Sequence, residues 1–197
     1  MAGHEWDATQ TAVLDAVITC AEEGGFRALT TRRVAEIARV NEVTIFRRFG
    51  SKAKLIAAAF EREATAIGDS VGEYSGDLRA DLERIAGTIW DAAGRRRLTL
   101  PVILSELSTN EELRAAAGHS MNAVARVAAI LQRYQDDGLL AEEPPLLAYS
   151  SLVGPLVYLG IVSRLLPHPP DIDIAEHVER FLDGHAGRVK SHRKKEK

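Results

Sequence analysis

Leu29-Thr30-Thr31-Arg32-Arg33-Val34-Ala35-Glu36-Ile37-Ala38-Arg39-Val40-Asn41-Glu42-Val43-Thr44-Ile45-Phe46-Arg47-Arg48-Phe49-Gly50-Ser51-Lys52 contains two short helical patterns, 31–38 and 42–49. Arg39-Val40 forms a tight turn between them, so the pair reads as a helix-turn-helix. A hydroxyl of Thr30 or Thr31 suits the cap of the first helix, and Asn41 suits the cap of the second. Each offers an oxygen to the unpaired N–H groups of a first turn. Val34, Ile37 and Ala38 recur at helical spacing and should face inward. Gly50 ends the second helix. Ser51 then caps a longer fourth helix carrying Leu55, Ile56, Ala59, Phe60 and Ile67.

Periodicity sorts the side chains of 42–49. Ile45 and Phe49 lie four apart and share the packed face. At about 100° per residue, Val43 and Arg47 stand nearly opposite Ile45, flanked by Thr44 and Phe46. Arg48 points sideways. If the exposed face meets the major groove, Arg47 can donate two hydrogen bonds to guanine O6 and N7, and Val43 can touch a thymine methyl. Thr44 can bond a phosphate or a base. Thr30, Thr31, Arg32 and Arg33, with the N–H groups of the first turn of 31–38, suit a phosphate, and Lys52 suits another.

Charge supports a local nucleic-acid surface. Between Arg27 and Lys54 eight basic residues face two acidic ones, a net of +6 in a chain whose formal net charge is −3. A positive face on an otherwise acidic body is the footprint of a DNA-binding module, and a basic coat over the whole molecule is excluded.

The rest of the 197 residues also reads as helix. Apolar positions recur at three and four, alanine is abundant, and no strand pattern stands out. A first helix is expected from about Asp7 or Thr9 to Glu23, stopped by Gly24-Gly25. Phe26 and Leu29 look like core anchors after it. Beyond Gly68 the segment 69–77 is turn-rich. Helices follow at about 78–94, 99–108, 110–117, 119–137, 145–166 and 172–187, the last two separated by Pro167-His168-Pro169-Pro170. The fold class is therefore all-α. Residues 190–197 form a basic tail expected to be disordered.

Cys20 is the sole cysteine, which excludes an internal disulfide and a thiolate cluster. Its apolar neighbours suit a buried, inert thiol. The first residues lack a signal-peptide pattern, and the longest apolar stretch, Leu152–Val162, is too short to span a bilayer. A reducing cytoplasm is the expected location, with no membrane partner.

The stretch 29–52 resembles the signature of TetR family transcriptional regulators. That signature reads Thr, then Ile-Ala, Ala-Gly-Val-Ser, Gly-Thr-Leu-Tyr, and finally Phe and Ser-Lys. Val34-Ala35 matches Ile-Ala, and Ala38, Val40, Thr44, Phe49, Ser51 and Lys52 match directly. Gly24-Gly25-Phe26 resembles the loop after the family's first helix. The likeness covers residues 9–60. Arg39 stands where glycine is usual, which places left-handed strain in the turn. Asn41 replaces serine and keeps a cap. Val43 replaces glycine, and Phe46 replaces tyrosine and lacks its hydroxyl.

The resemblance implies a three-helix DNA-binding domain at 1–52, linked by helix four at about 52–68 to a ligand-binding and dimerisation domain at 69–189. It implies a homodimeric repressor released from a palindromic operator by a small-molecule inducer. DNA contacts then fall to Thr30, Thr31, Arg32, Arg33, Asn41, Val43, Thr44, Phe46, Arg47, Arg48 and Lys52. The helices at 145–166 and 172–187 would pair across the dimer. Trp90, Leu104, Met121 and Val124 are candidate lining for an apolar pocket, with Gly87, Gly94 and Gly118 leaving room. No cofactor, metal site or catalytic residue is expected. The competing readings are a helical metal-dependent enzyme, through Asp173 and His177 four apart with His168, Asp171 and His185 nearby, or an interaction protein that never binds DNA.

Overall fold

The computed structural model describes residues 6–95, 110–116, 122–163, 166–168 and 171–185. Among the described residues there are nine helices and no strand: α1 (Ala8–Ala28), α2 (Thr31–Ala38), α3 (Glu42–Phe49), α4 (Lys52–Val71), α5 (Leu78–Arg95), α6 (Glu111–Ala116), α7 (Asn122–Asp136), α8 (Pro145–Val162) and α9 (Ile174–His185). The all-α expectation holds. The helix expected at 99–108 and the basic tail at 190–197 lie outside the described residues. The chain divides into two compact units, Met1–Asp69 with Ala92–Ala123 and Ser70–Asp91 with Val124–Lys197.

The first unit is built on a shared apolar core. α1 supplies Val13, Leu14, Val17 and Ala21, α2 supplies Val34 and Ala35, α3 supplies Ile45 and Phe49, and α4 supplies Leu55, Ile56, Ala59 and Phe60. Helices α2 and α3 have eight residues each. Helices that short are marginal in water, so burial holds them, at about 1.5–3 kcal/mol per large apolar side chain. Cys20 is buried in this core and its thiol donates to the Ala28 carbonyl. Burial pushes that thiol's pKa up, as suits an inert thiol.

Two expected boundaries are corrected. Gly24-Gly25 does not stop α1, which continues to Ala28. A Cβ on Gly24 would collide with that of Ala28, so this glycine permits a close approach within the helix. Nor does Gly68 end α4. It is buried with Ala123 Cα 3.6 Å from where its Cβ would be, and α4 runs on to Val71.

In the second unit a buried carboxylate organises the α4–α5 connection. Asp81 is 1% exposed. It accepts hydrogen bonds from the Ser75 amide (2.8 Å), the Ser75 hydroxyl (2.8 Å), the Tyr134 hydroxyl (2.5 Å) and Arg84 Nη2 (2.5 Å). Arg84 also donates to the Glu73 carbonyl. Gly72, at φ 73°, leaves that guanidinium its place, because a Cβ there would collide with Arg84 Nη1. Tyr74 packs on Tyr134 with ring centroids 4.5 Å apart, donates to Asp137 and lies beneath Arg133.

The same unit holds α8 and α9. α8 buries Ala148, Leu152, Val153 and Leu156 and carries Pro155 within it. α9 buries Val178 and Phe181. Asp173 caps α9, accepting from the amides of Ala175 and Glu176, and His177 Nε2 donates to the Leu152 carbonyl at 2.8 Å. The Asp173–His177 spacing thus serves a cap and a helix–helix bond. Among the described residues no group of three or more His, Cys, Asp and Glu is placed to hold a metal, and no helix is long and apolar enough to cross a membrane.

Candidate nucleic-acid interface

Local rules set the geometry of 30–52. Thr30, in extended conformation, caps α2 by accepting from the Arg33 amide at 3.1 Å. Asn41 caps α3 by accepting from the Val43 amide at 2.9 Å. Ser51 caps α4 by accepting from the Lys54 amide at 3.2 Å. Each cap satisfies a donor that the first helical turn leaves unpaired. Thr31, the other candidate cap, instead donates its hydroxyl to the carboxylate of Glu42 and so ties α2 to the first turn of α3.

The turn is a Schellman motif. The Arg39 amide donates to the Glu36 carbonyl at 3.3 Å and the Val40 amide to the Ala35 carbonyl at 3.0 Å. Arg39 sits at φ 56°, ψ 41°, the sole non-glycine residue with positive φ among the described residues. The strain expected at this position is therefore present.

The faces of α3 fall as the periodicity predicts. Ile45 and Phe49 are buried at 1% and 8%, while Val43 is 70% and Phe46 46% exposed. Arg47 and Asn41 are exposed and Thr44 is half-buried. An apolar pair beside an arginine, on a helix held by two anchors, makes a rigid surface with both methyl-contacting and hydrogen-bonding capacity.

The arginines differ in their engagements. Arg32 pairs with Glu36 at 3.3 Å, and Arg33 pairs with Glu23 at 3.3 Å and Glu36 at 3.7 Å. Such exposed pairs contribute about 0–1 kcal/mol each, so an incoming phosphate competes with them readily. Arg47 and Arg39 are exposed and make no ion pair among the described residues. Lys52 is half-buried at the start of α4.

Sequence reasoning missed the hold exerted by the segment before α1. Trp6 stacks on Phe49 at 6.3 Å. The Asp7 carboxylate accepts from the Gln10 amide at 2.9 Å and also pairs with Arg48. The Asp7 amide in turn donates to Gln10 Oε1 at 3.1 Å, completing a reciprocal cap. The Gln10 amide, and then Arg48, hold the Asp7 carboxyl below its usual pKa range. The Asp7-x-x-Gln10 spacing is the signal that could have found the cap, though not the contacts with Phe49 and Arg48. Arg48, expected at the DNA face, is thus also a link between α3 and α1.

Of the candidate pocket residues, Trp90 lies on α5 and Val124 on α7, both half-buried. Leu104 and Met121 are outside the described residues, and so is Gly118. A Cβ on Gly87 would meet nothing within 4 Å.

Comparison with known proteins agrees with this geometry. Residues 13–59 match the model for bacterial regulatory proteins of the tetR family. An HTH-type transcriptional regulator of Mycobacterium tuberculosis is 32% identical over 135 residues, which span 68% of this chain and 66% of that protein's length. The fold matches a TetR family transcription regulator from Marinobacter aquaeolei with a TM-score of 0.73 at 19% identity, covering 91% of this chain and 96% of that one. A flavonoid-responsive regulator matches with a TM-score of 0.64 at 20% identity, covering 92% and 98%. With its capped helix pair, its buried anchors and these similarities, the chain belongs to the TetR family of bacterial regulatory proteins.

Proposed function

We propose that the protein is a cytoplasmic, homodimeric transcriptional repressor that leaves a palindromic operator when a small molecule binds. The observation that carries this reading is α3, anchored by Ile45 and Phe49 and presenting Val43, Phe46 and Arg47 outward. Arg47 reads guanine, Val43 meets a thymine methyl, and Thr44, Phe46 and Asn41 line the same groove. Thr30, Thr31, Arg32, Arg33, Arg48 and Lys52 are assigned to the phosphate walls. The DNA-binding domain is residues 1–52, helix four links it onward, and 69–189 form the ligand-binding and dimerisation domain.

Two half-sites about 34–36 Å apart need two recognition helices, hence a dimer. α8 supplies a surface for it. Leu146, Leu147 and Tyr158 are 60%, 53% and 65% exposed. Gly154 lies exposed between them, and a Cβ there would meet nothing within 4 Å. A second copy of α8 can approach closely along such a stripe. The small-molecule response is supported by the likeness to the flavonoid-responsive regulator. Trp90 and Val124, both half-buried in the second unit, are the proposed lining.

The test combines light scattering with mobility shift on genomic fragments. Wild type should be a dimer that shifts a subset of fragments. A Leu147→Glu, Tyr158→Glu double variant should elute as a folded monomer and bind the operator at least tenfold more weakly. A wild-type monomer that ignores all fragments would sink the proposal.

A further inference from the structure

The backbone at Arg39 is fixed by the turn and not by its side chain. Both bonds of the Schellman motif require the left-handed conformation there. Glycine adopts it without a steric penalty, whereas a residue with a Cβ is strained. Nothing in the motif calls for arginine. The side chain is exposed and, unlike Arg32, Arg33 and Arg48, has no ion pair among the described residues. Local strain retained at one point is a pointer to function.

Position supplies the function. Arg39 lies two residues before the cap of α3. The N-terminal part of a recognition helix is the part that enters the groove, so the turn preceding it runs beside the groove wall. Phosphates line that wall. We infer that Arg39 is a DNA-backbone contact, an added cation at the tip of the turn that strengthens binding without reading sequence. The inference rests on the proposed DNA-binding role of α3. A competing use of the charge is local: a cation at the C-terminal end of α2 favours the helix dipole.

Because a phosphate contact is independent of sequence, the test needs no operator. The probe is a mixed-sequence duplex of about 30 bp, titrated between roughly 50 and 200 mM salt with wild type, Arg39→Gly, Arg39→Asn and Arg39→Lys. Taking one phosphate-binding cation from each subunit of the dimer should flatten the log–log salt slope by about 1.8, at about 0.9 per contact. The advantage of wild type over Arg39→Gly should then shrink about twelvefold across that range. Arg39→Asn should behave like Arg39→Gly, and Arg39→Lys should keep the wild-type slope. Arg39→Gly should also melt about 2–4 °C higher, since strain is relieved.

A wild-type slope in Arg39→Gly would overturn the inference. A lower melting temperature for Arg39→Gly together with an unchanged slope would assign the charge to the α2 dipole instead. If wild type itself fails to bind the duplex at the lowest salt, the DNA-binding reading fails. If wild type binds with a steep slope that Arg39→Gly retains, only the Arg39 inference does.

Discussion

Replacing Asp81 with alanine is expected to destabilise the second unit by about 2–4 kcal/mol, because it removes the acceptor of the buried Tyr134 hydroxyl and of the Ser75 amide and hydroxyl, while Arg84 remains partly in water. Asp81 is 1% exposed and accepts four hydrogen bonds, one of them from Arg84. Its removal strands the buried Tyr134 hydroxyl, and Arg84 Nη1 is already buried without a hydrogen-bond partner. At about 2–4 °C per kcal/mol for a chain of this size, the melting temperature should fall by roughly 10 °C. Thermal unfolding followed by circular dichroism measures it. A fall under about 2 °C would show that the network is not a stabilising element.

The same residue should make stability depend on pH. Burial alone would raise its pKa, but the bonds from Tyr134, Ser75 and Arg84 outweigh burial and lower it. A carboxyl whose folded pKa is below the unfolded value of about 3.9 stabilises the fold above that value. The contribution disappears as pH falls through the lowered folded value. Wild type should therefore lose more stability than Asp81→Asn on acidification below about pH 4. Equal decreases in the two proteins would assign the acid sensitivity to other groups.

Replacing Arg47 with alanine is the second large effect. A bidentate arginine–guanine pair contributes about 1–3 kcal/mol of discrimination, and the dimer loses one in each half-site, so operator affinity should fall at least roughly 30-fold. The effect should concentrate at one base position in each half-site. Titration against a set of single-base operator variants reads this directly. Wild type should discriminate at that position and Arg47→Ala should not. Lys52→Ala supplies the contrast. Without this phosphate-binding cation in either subunit, the variant should bind every sequence more weakly by the same factor, with a salt slope lower by about 1.8. If Arg47→Ala weakened binding to all operator variants equally, Arg47 would belong to the phosphate wall. The geometry favouring a base contact is its position opposite the buried Ile45, without an ion pair among the described residues to restrain it.

The helix-turn-helix was legible to the residue because its determinants are local. Thr30, Asn41 and Ser51 cap amides two or three residues ahead, and Ile45 and Phe49 mark the buried face by spacing alone. The strain at Arg39 was readable only through the resemblance, from an arginine standing where glycine is usual. Helix ends were less legible. Gly24 and Gly68 look like stops in isolation, yet each lies within a helix, and at Gly24 the absence of a side chain admits Ala28.

Contacts between distant segments were not legible. The grip of Trp6 and Asp7 on Phe49 and Arg48 spans some forty positions. The bond from Tyr134 to Asp81 spans 53. No periodicity or motif connects such residues, because side-chain pairing at that range depends on how helices pack. Linear order thus specified which helices form, where they are capped and which face of α3 is apolar, since hydrogen bonds within one turn settle those matters. Tertiary packing specified which charges are engaged and which stay available, since an arginine finds its carboxylate only after folding brings the two together.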